Sequence, residues 1–268
     1  MEYLQDANGV YVLSALTIFW GGLCLLWQTV VEYWYIALIA SVFAYLLGSV
    51  NTSIIVTRIF TRKDIRKMGS GNAGFTNVLR SVGKIPAIIT FAGDFLKGVI
   101  AVMAVRLLVY LFALHSFDYA IPCLVYIAGF FCVIGHMFPL FYGFRGGKGV
   151  LTTASFTLAA DWRIFVALIV VFIIMFLFTK TISKSAIVSA VCLPIFTFFF
   201  AFVLDVLPLT VYDDPLNQTL AYEYMVAGAK TIIALIIAVL VIIRHKENIK
   251  RILSGTEKKI TSKKTKQE

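Results

Sequence analysis

The chain has 268 residues, of which 60% are hydrophobic and only 14% charged, where a soluble globular domain is roughly half apolar. So little polar surface excludes a water-soluble globule, a disordered chain and a coiled coil, and leaves an integral membrane protein with spans of about 20 residues each. The net charge of +10 is unevenly placed: residues 58–84 carry seven basic groups and one acid, 244–268 carry nine and three, and 205–224 hold four acids and no Lys or Arg. Basic segments stay cytoplasmic, so both basic blocks are expected inside and the acidic one outside. Nucleic-acid binding is the weaker reading and no nucleic-acid partner is expected, because the basic groups flank apolar spans and lack interleaved aromatics.

Apolar runs follow at 10–27, 34–57, 92–113, 120–142, 149–160, 163–179, 186–206 and 226–243. They are apolar all round instead of alternating, which predicts helices and not a barrel. Alternation from residue 58 inside puts 115–119, 161–162 and 207–225 outside, and 58–91, 143–148, 180–185 and 244–268 inside. The expected fold is thus an all-α, polytopic integral membrane helix bundle with seven core transmembrane helices from residue 34 onward. The 149–160 run is short for a span, so it extends at its ends, tilts or packs inside the bundle. The 10–27 run either spans, giving eight helices and a cytoplasmic N-terminus, or lies in the outer interface; its length favours spanning. This divides the chain into an N-terminal apolar extension (1–33), a membrane domain (34–243) and a basic cytoplasmic segment (244–268). Cys24, Cys123, Cys132 and Cys192 are scattered with no C-x-x-C spacing, and the three histidines lie in unrelated segments, so no disulfide and no metal site is expected.

Four polar clusters fall on the cytoplasmic side. The first runs from Asp64-Ile65-Arg66 through Gly69-Ser70-Gly71-Asn72-Ala73-Gly74 to Thr76, Asn77 and Arg80. Its glycines allow a tight turn whose N–H groups meet one anion, and a following helix adds its positive end. On that helix Asn72, Thr76 and Arg80 are spaced i, i+4, i+8 and share a face, which reads as a phosphate cradle; the alternative is a plain turn between two spans. The second cluster, Phe144-Arg145-Gly146-Gly147-Lys148-Gly149-Val150, opens a helix with Lys148 placed to pair a phosphate. It is not a Walker A loop, because the earlier glycine and the following Ser or Thr are missing. Positive-inside anchoring alone would explain Arg145 and Lys148 but not the three glycines.

The third cluster, 179–185, is hydroxyl-rich and holds Ser183 and Ser185; capping and binding suit it equally. The fourth, 244–251, places His245 and Asn248 on one face at i, i+3, beside a stripe of Arg244, Glu247 and Arg251. Binding of anionic lipid accounts for its lysines and arginines but not for His245 and Asn248. Within the spans, Asp94 and Lys97 at i, i+3 are expected to pair and brace the first cradle, since isolated charges at depth cost about 2.5–3.5 kcal/mol. Arg106 lies on the far face of that helix, free to snorkel outward. His136, close to Pro139, fits a packed histidine at a kink as well as a site role.

Together these motifs resemble the bacterial acyl-phosphate:glycerol-3-phosphate acyltransferases, the PlsY family. The resemblance is carried by Gly48-Ser49, Asp64-Ile65-Arg66, Gly69-Ser70-Gly71-Asn72, Gly74, Thr76-Asn77, Arg80, Asp94, Lys97-Gly98, Gly135-His136 and Pro139. It continues through Gly146-Gly147-Lys148-Gly149-Val150, Ser183, Arg244-His245, Glu247-Asn248-Ile249 and Gly255-Thr256-Glu257. There are departures: Asn51 stands where the family usually has proline, Lys184 and Ala186 replace an apolar residue and a serine, and Leu151 replaces an alanine. The 10–27 segment has no counterpart in the family's pattern.

The resemblance implies a seven-helix enzyme of the bacterial cytoplasmic (inner) membrane with its active site facing the cytoplasm. It would move a fatty acyl group from acyl phosphate to the 1-hydroxyl of glycerol 3-phosphate, giving lysophosphatidate and inorganic phosphate, the first step of phospholipid synthesis. The implied catalytic residues are His245, Asn248, Arg80 and Lys148. The implied binding residues are Gly69, Ser70, Gly71, Asn72, Thr76, Asn77, Lys97, Gly146, Gly147, Ser183 and Ser185. No metal and no cofactor is implied. The implied partners are acyl phosphate, glycerol 3-phosphate, membrane lipids and, as a candidate, the enzyme that forms acyl phosphate.

The residues by themselves agree. Two phosphates need more than one cation, and Arg80, Lys148 and Lys97 are available. Acyl phosphate has a good leaving group, so positioning and charge neutralisation can supply most of the catalysis. No Ser-His-Asp or Cys-His constellation is evident, which favours direct transfer over an acyl-enzyme. The hydroxyl proton can go to a substrate phosphate or to His245. The rival class is a membrane transporter of an organic anion or phosphate ester. Against it, a transport site is expected near mid-membrane between inverted repeats, and no internal repeat is seen.

Overall fold

A computed structural model describes residues 3–5, 11–13, 15–112, 120–206 and 218–259. Among them the chain is a bundle of helices: α1 (Ala15–Glu32), α2 (Trp34–Ser49), α3 (Thr52–Thr61), α4 (Phe75–Ser81), α5 (Lys84–Leu111), α6 (Ala120–Met137), α7 (Val150–Ala160), α8 (Trp162–Thr179), α9 (Ile182–Phe198), α10 (Gln218–Arg244) and α11 (Lys246–Leu253). Among the described residues six stretches are long and apolar enough to cross a membrane: Trp34–Thr61, Lys84–Leu111, Ala120–Tyr142, Trp162–Thr179, Ile182–Asp205 and Tyr222–Arg244. The protein is an all-helical integral membrane bundle. The only strands among the described residues are β1 (Tyr3–Gln5) and β2 (Tyr11–Leu13), an antiparallel pair with Leu4 opposite Val12.

The N-terminal apolar run is helical only from Ala15, because 11–13 is taken by β2. It also enters α2 without a reversing loop. The N–H of Tyr33 still donates to the Thr29 carbonyl at 3.0 Å and its own carbonyl accepts from the Ala37 N–H at 2.9 Å, so the junction is a bend. Before this bend α1 lies along α10, where Gly22 and Gly228 meet backbone to backbone.

Of the three options for the 149–160 run, the structure takes internal packing. With 11 residues, α7 rises only about 16 Å, half the hydrocarbon thickness. Its Phe156 is fully buried against Gly129 of α6, and Ser155 sits against Gly98 of α5. By contrast α8 buries only Ile164 and Leu168 and turns the rest of its apolar surface outward, as a helix facing lipid must.

The centre is the α2–α6 contact. A Cβ on Gly48 would lie 2.2 Å from the Cys132 carbonyl oxygen, and one on Gly135 would lie 2.2 Å from that of Tyr45. Without lateral hydrophobic drive in lipid, such close backbone approach is what holds helices together. The same contact aligns the ends of α2 and α6, where the polar clusters begin. Asn51, the departure from proline, caps α3: its side chain accepts from the Ile54 N–H at 3.2 Å and from the Ser53 hydroxyl at 2.6 Å. Gly48→Val should separate α2 from α6 and lower stability by on the order of 1–3 kcal/mol, the cost of overpacking, read as a drop in the thermal unfolding midpoint in detergent.

Candidate active site

The first glycine-rich loop folds around Asn77. Its side-chain amide donates to the carbonyls of Ile65, Met68 and Asn72 at 3.2, 2.9 and 3.0 Å, while its oxygen accepts from the Ser70 N–H at 3.0 Å and the Ser81 hydroxyl at 3.3 Å. Asn77 is buried and its hydrogen-bonding capacity is spent on the loop, so its expected role as a substrate ligand is corrected to that of loop builder. Gly69 and Gly71 take φ of 56° and 72°, which only glycine adopts freely, and these turns stop the helix from starting before Phe75. Asn72 therefore lies in the loop, and only Thr76 and Arg80 of the expected three share a helix face. The N–H groups of Ser70, Gly71 and Gly74 are bonded within the loop, whereas those of Asn72 and Ala73 have no partner among the described residues. The first-turn N–H groups of Phe75 and Thr76 are likewise left over at the positive end of α4. The Ser70 hydroxyl and the Arg80 side chain stand exposed beside them.

The second loop is pressed against the first. A Cβ on Gly147 would lie 2.1 Å from His136 Nε2 and 2.7 Å from the Ala73 carbonyl oxygen, so only glycine lets the two loops touch. Its backbone is not free to bind an anion. The N–H groups of Gly146 and Gly147 donate to the carbonyls of Met137 and His136 at 3.2 and 3.0 Å, and both loop carbonyls accept from the Arg244 guanidinium at 3.0–3.2 Å. The expected ligand role of Gly146 and Gly147 is thus corrected to close packing. Arg66, held by Asp64 at 2.7 Å, donates to the Tyr142 carbonyl at 2.6 Å and ties the first cluster to the entry of the second. The hydrogen bond from Arg66 keeps the Asp64 carboxyl below its usual range, against its partial burial.

Asp94 and Lys97 do pair, at 3.0 Å, but the brace runs to the second loop. Lys97 is buried and also donates to the Gly48 carbonyl at 3.3 Å and to His136 Nδ1 at 2.7 Å. An ammonium only donates, so His136 carries its hydrogen on Nε2, the atom facing Gly147. Lys97 is enclosed by these partners and is corrected from phosphate ligand to support.

Lys148 projects from the second loop to Asn248 of α11, whose oxygen accepts its hydrogen bond. Asn248 donates at 2.7 Å to both the Ser183 hydroxyl and Glu257, and Ser183 donates to Glu257 as well. Glu257 also holds Arg251 at 2.7 Å. Burial alone would raise the Glu257 carboxyl, but Ser183, Arg251 and Asn248 together hold it below its ordinary range. The 244–259 stretch is therefore part of the site and not a separate tail. Ser185, by contrast, is buried and donates to the Thr181 carbonyl one turn back, a capping bond away from the cluster. The stripe expected of Arg244, Glu247 and Arg251 also dissolves: α10 breaks at His245, Glu247 faces Lys250, and Arg251 turns to Glu257.

Arg80, Lys148 and His245 converge. Burial lowers Lys148 to about 8; Glu257 opposes this, and the charges of Arg251, Arg244 and Arg80 add to it. Burial, reinforced by Lys148, lowers His245 to about 4. Its Nδ1 lies 2.8 Å from the Val241 carbonyl oxygen, which can only accept, so the neutral ring keeps its hydrogen there and leaves Nε2 unprotonated. Glu257 and Arg66 were given no site role in the sequence reading; an acid in so basic a tail was the signal for the first.

A crowd of cations around a neutral histidine, at the end of a lipid-embedded bundle, defines a membrane protein that handles phosphorylated compounds. Comparison with known proteins narrows this class. The chain belongs to the glycerol-3-phosphate acyltransferase family, whose profile matches residues 38–255. It is 39% identical over 232 residues to the glycerol-3-phosphate acyltransferase of Clostridioides difficile, covering 85% of this chain and 97% of that one. It is 36% identical over 222 residues to that of Francisella philomiragia, covering 83% and 92%. The crystal structure of PlsY, an integral membrane glycerol 3-phosphate acyltransferase, in its glycerol 3-phosphate form superposes with a TM-score of 0.63 at 31% identity over 84% of this chain and 96% of that one. The lysophosphatidic acid form gives 0.61 at 30% identity, with the same coverage. The family profile does not include α1, since it begins at residue 38.

Asn77→Ala should unpin the first loop. Leaving its carbonyls unpaired costs on the order of 1–3 kcal/mol, so both the thermal midpoint and the affinity for glycerol 3-phosphate should fall, while Ser185→Ala should leave the affinity unchanged.

Proposed function

We propose that this protein transfers a fatty acyl group from acyl phosphate to the 1-hydroxyl of glycerol 3-phosphate, releasing lysophosphatidate and inorganic phosphate. The convergence of Arg80 and Lys148 beside neutral His245 carries the reading. Two phosphorylated substrates bring more negative charge than one cation can hold, and here two cations not closed on loop carbonyls lie close together. The free N–H groups of the first loop and Arg80 suit one phosphate, and Lys148 the other. A cluster at the membrane boundary lets a fatty chain stay in lipid while glycerol 3-phosphate arrives from water. Positive-inside charge placement supports a cytoplasmic-membrane protein with this end toward the cytoplasm. A transporter would need its charges near mid-membrane, where these are not.

In the step itself the 1-hydroxyl oxygen bonds to the acyl carbonyl carbon. The anhydride C–O bond breaks, and its electron pair leaves with phosphate. The hydroxyl proton goes to a phosphate oxygen, because a phosphomonoester titrates near 6 and is a better base than a histidine held at about 4. His245 then orients the hydroxyl as a neutral hydrogen-bond acceptor. Lys148 neutralises charge growing on the leaving group.

The test is turnover of palmitoyl phosphate and glycerol 3-phosphate by purified protein in detergent, followed by phosphate release and lysophosphatidate. Lys148→Ala should lower kcat/KM by about 10²–10³ with folding intact. Activity with an acyl thioester but none with acyl phosphate would overturn the donor assignment. The pH profile carries a second expectation. Lys148 is charged below about 8, so kcat/KM should fall as pH rises through that value, and the acid limb should follow the substrate phosphate near 6 and not His245, which stays neutral there.

A further inference from the structure

At the opposite end of the bundle from Lys148, helices α5, α6, α7, α8 and α10 enclose a cavity of about 670 Å³. Four charged residues line it: Arg106 of α5, Asp161 and Arg163 at the start of α8, and Lys230 of α10. Arg163 is satisfied, with Asp161 at 2.8 Å and Asp205 at 2.7 Å, so those charges close on one another. Arg106 and Lys230 make no hydrogen bond or ion pair with any described residue, and the one acid that acts on Lys230 at longer range, Asp161, is already bonded to Arg163. Lys230 lies fourteen residues before Arg244, about 21 Å along the helix axis and well within a lipid bilayer. A lysine at that depth is costly unless an anion or water meets it. These two cations, without an ion pair among the described residues, sit on different helices and line one space.

We propose that this cavity binds the phosphate of an anionic phospholipid in the leaflet away from the active site, with Arg106 and Lys230 gripping it from two helices. The mouth is apolar: Met103 and Trp162 line it and are about half exposed, so the space communicates with lipid and can take a glycerol backbone and the start of its chains. Free inorganic phosphate offers the same anion without that apolar portion. A bound headgroup would tie α5 to α10, the helices that carry Lys97, midway along α5, and Arg244, at the other end of α10. The site is independent of the acyltransfer reading.

The experiment uses purified full-length protein in neutral detergent, with phosphatidylglycerol, phosphatidylcholine or inorganic phosphate added. Phosphatidylglycerol should raise the thermal unfolding midpoint by about 2–4 °C, and phosphatidylcholine should not. Arg106→Gln and Lys230→Gln should each weaken phosphatidylglycerol binding about fivefold, and together abolish the increment. Lys148→Ala, at the other end, should keep it whole. An increment from inorganic phosphate equal to that from phosphatidylglycerol, and lost in the same variants, would overturn the lipid assignment in favour of a free anion. An undiminished phosphatidylglycerol response in the double variant, or in both single variants should the double fail to fold, would overturn the site.

Discussion

Charge that enters a lipid-bounded structure must be met by opposite charge or by a backbone dipole, and the active end of this protein is built on that requirement. Arg244 closes on the carbonyls of Gly146 and Gly147, Arg66 on that of Tyr142, and Lys97 on Asp94, His136 and Gly48. Once these cations have been absorbed by the fold, Arg80 makes no hydrogen bond or ion pair with any described residue, and Lys148 bonds to the Asn248 oxygen and feels the Glu257 charge. The supporting cations set the loops, and Arg80 and Lys148 are left for the proposed substrates.

This division explains why so many charged and polar residues gather around a reaction that needs little acid–base chemistry. The proposed donor, an acyl phosphate, is already activated, so the protein's contribution would be placement and a preorganised positive field. Preorganisation needs rigid loops, and Asn77 and Arg244 supply that rigidity through hydrogen bonds to backbone atoms. His245, kept neutral by burial and by the charge of Lys148, would orient a hydroxyl without competing for the phosphates.

Beyond the shared family region, α1 is an addition seated on α10 through Gly22 and Gly228. It enters α2 by a bend at Tyr33, and so lengthens the bundle at a distance from the chemistry. The helix it covers is the one that ends at Arg244 and His245.

Composition and hydropathy by themselves determined the membrane class and the helical architecture, because burial in lipid leaves apolar segments no other conformation. Motif spacing also singled out Arg80, Lys148, His245 and Asn248, whose side chains the fold brings together. What spacing could not tell was which polar atoms are consumed by the protein. Gly146, Gly147, Asn77 and Lys97 are the same residue types that bind phosphate, and only their neighbours from distant segments, Met137, Arg244, Ile65 and His136, show them already satisfied. Glu257 needed the tertiary fold for the same reason: its partners Ser183 and Asn248 lie 74 and 9 residues away, a pairing that no local pattern encodes. The helix start at Phe75 and the internal burial of α7 were likewise decided by packing, since backbone hydrogen bonds and close glycine contacts between segments override what each run prefers alone.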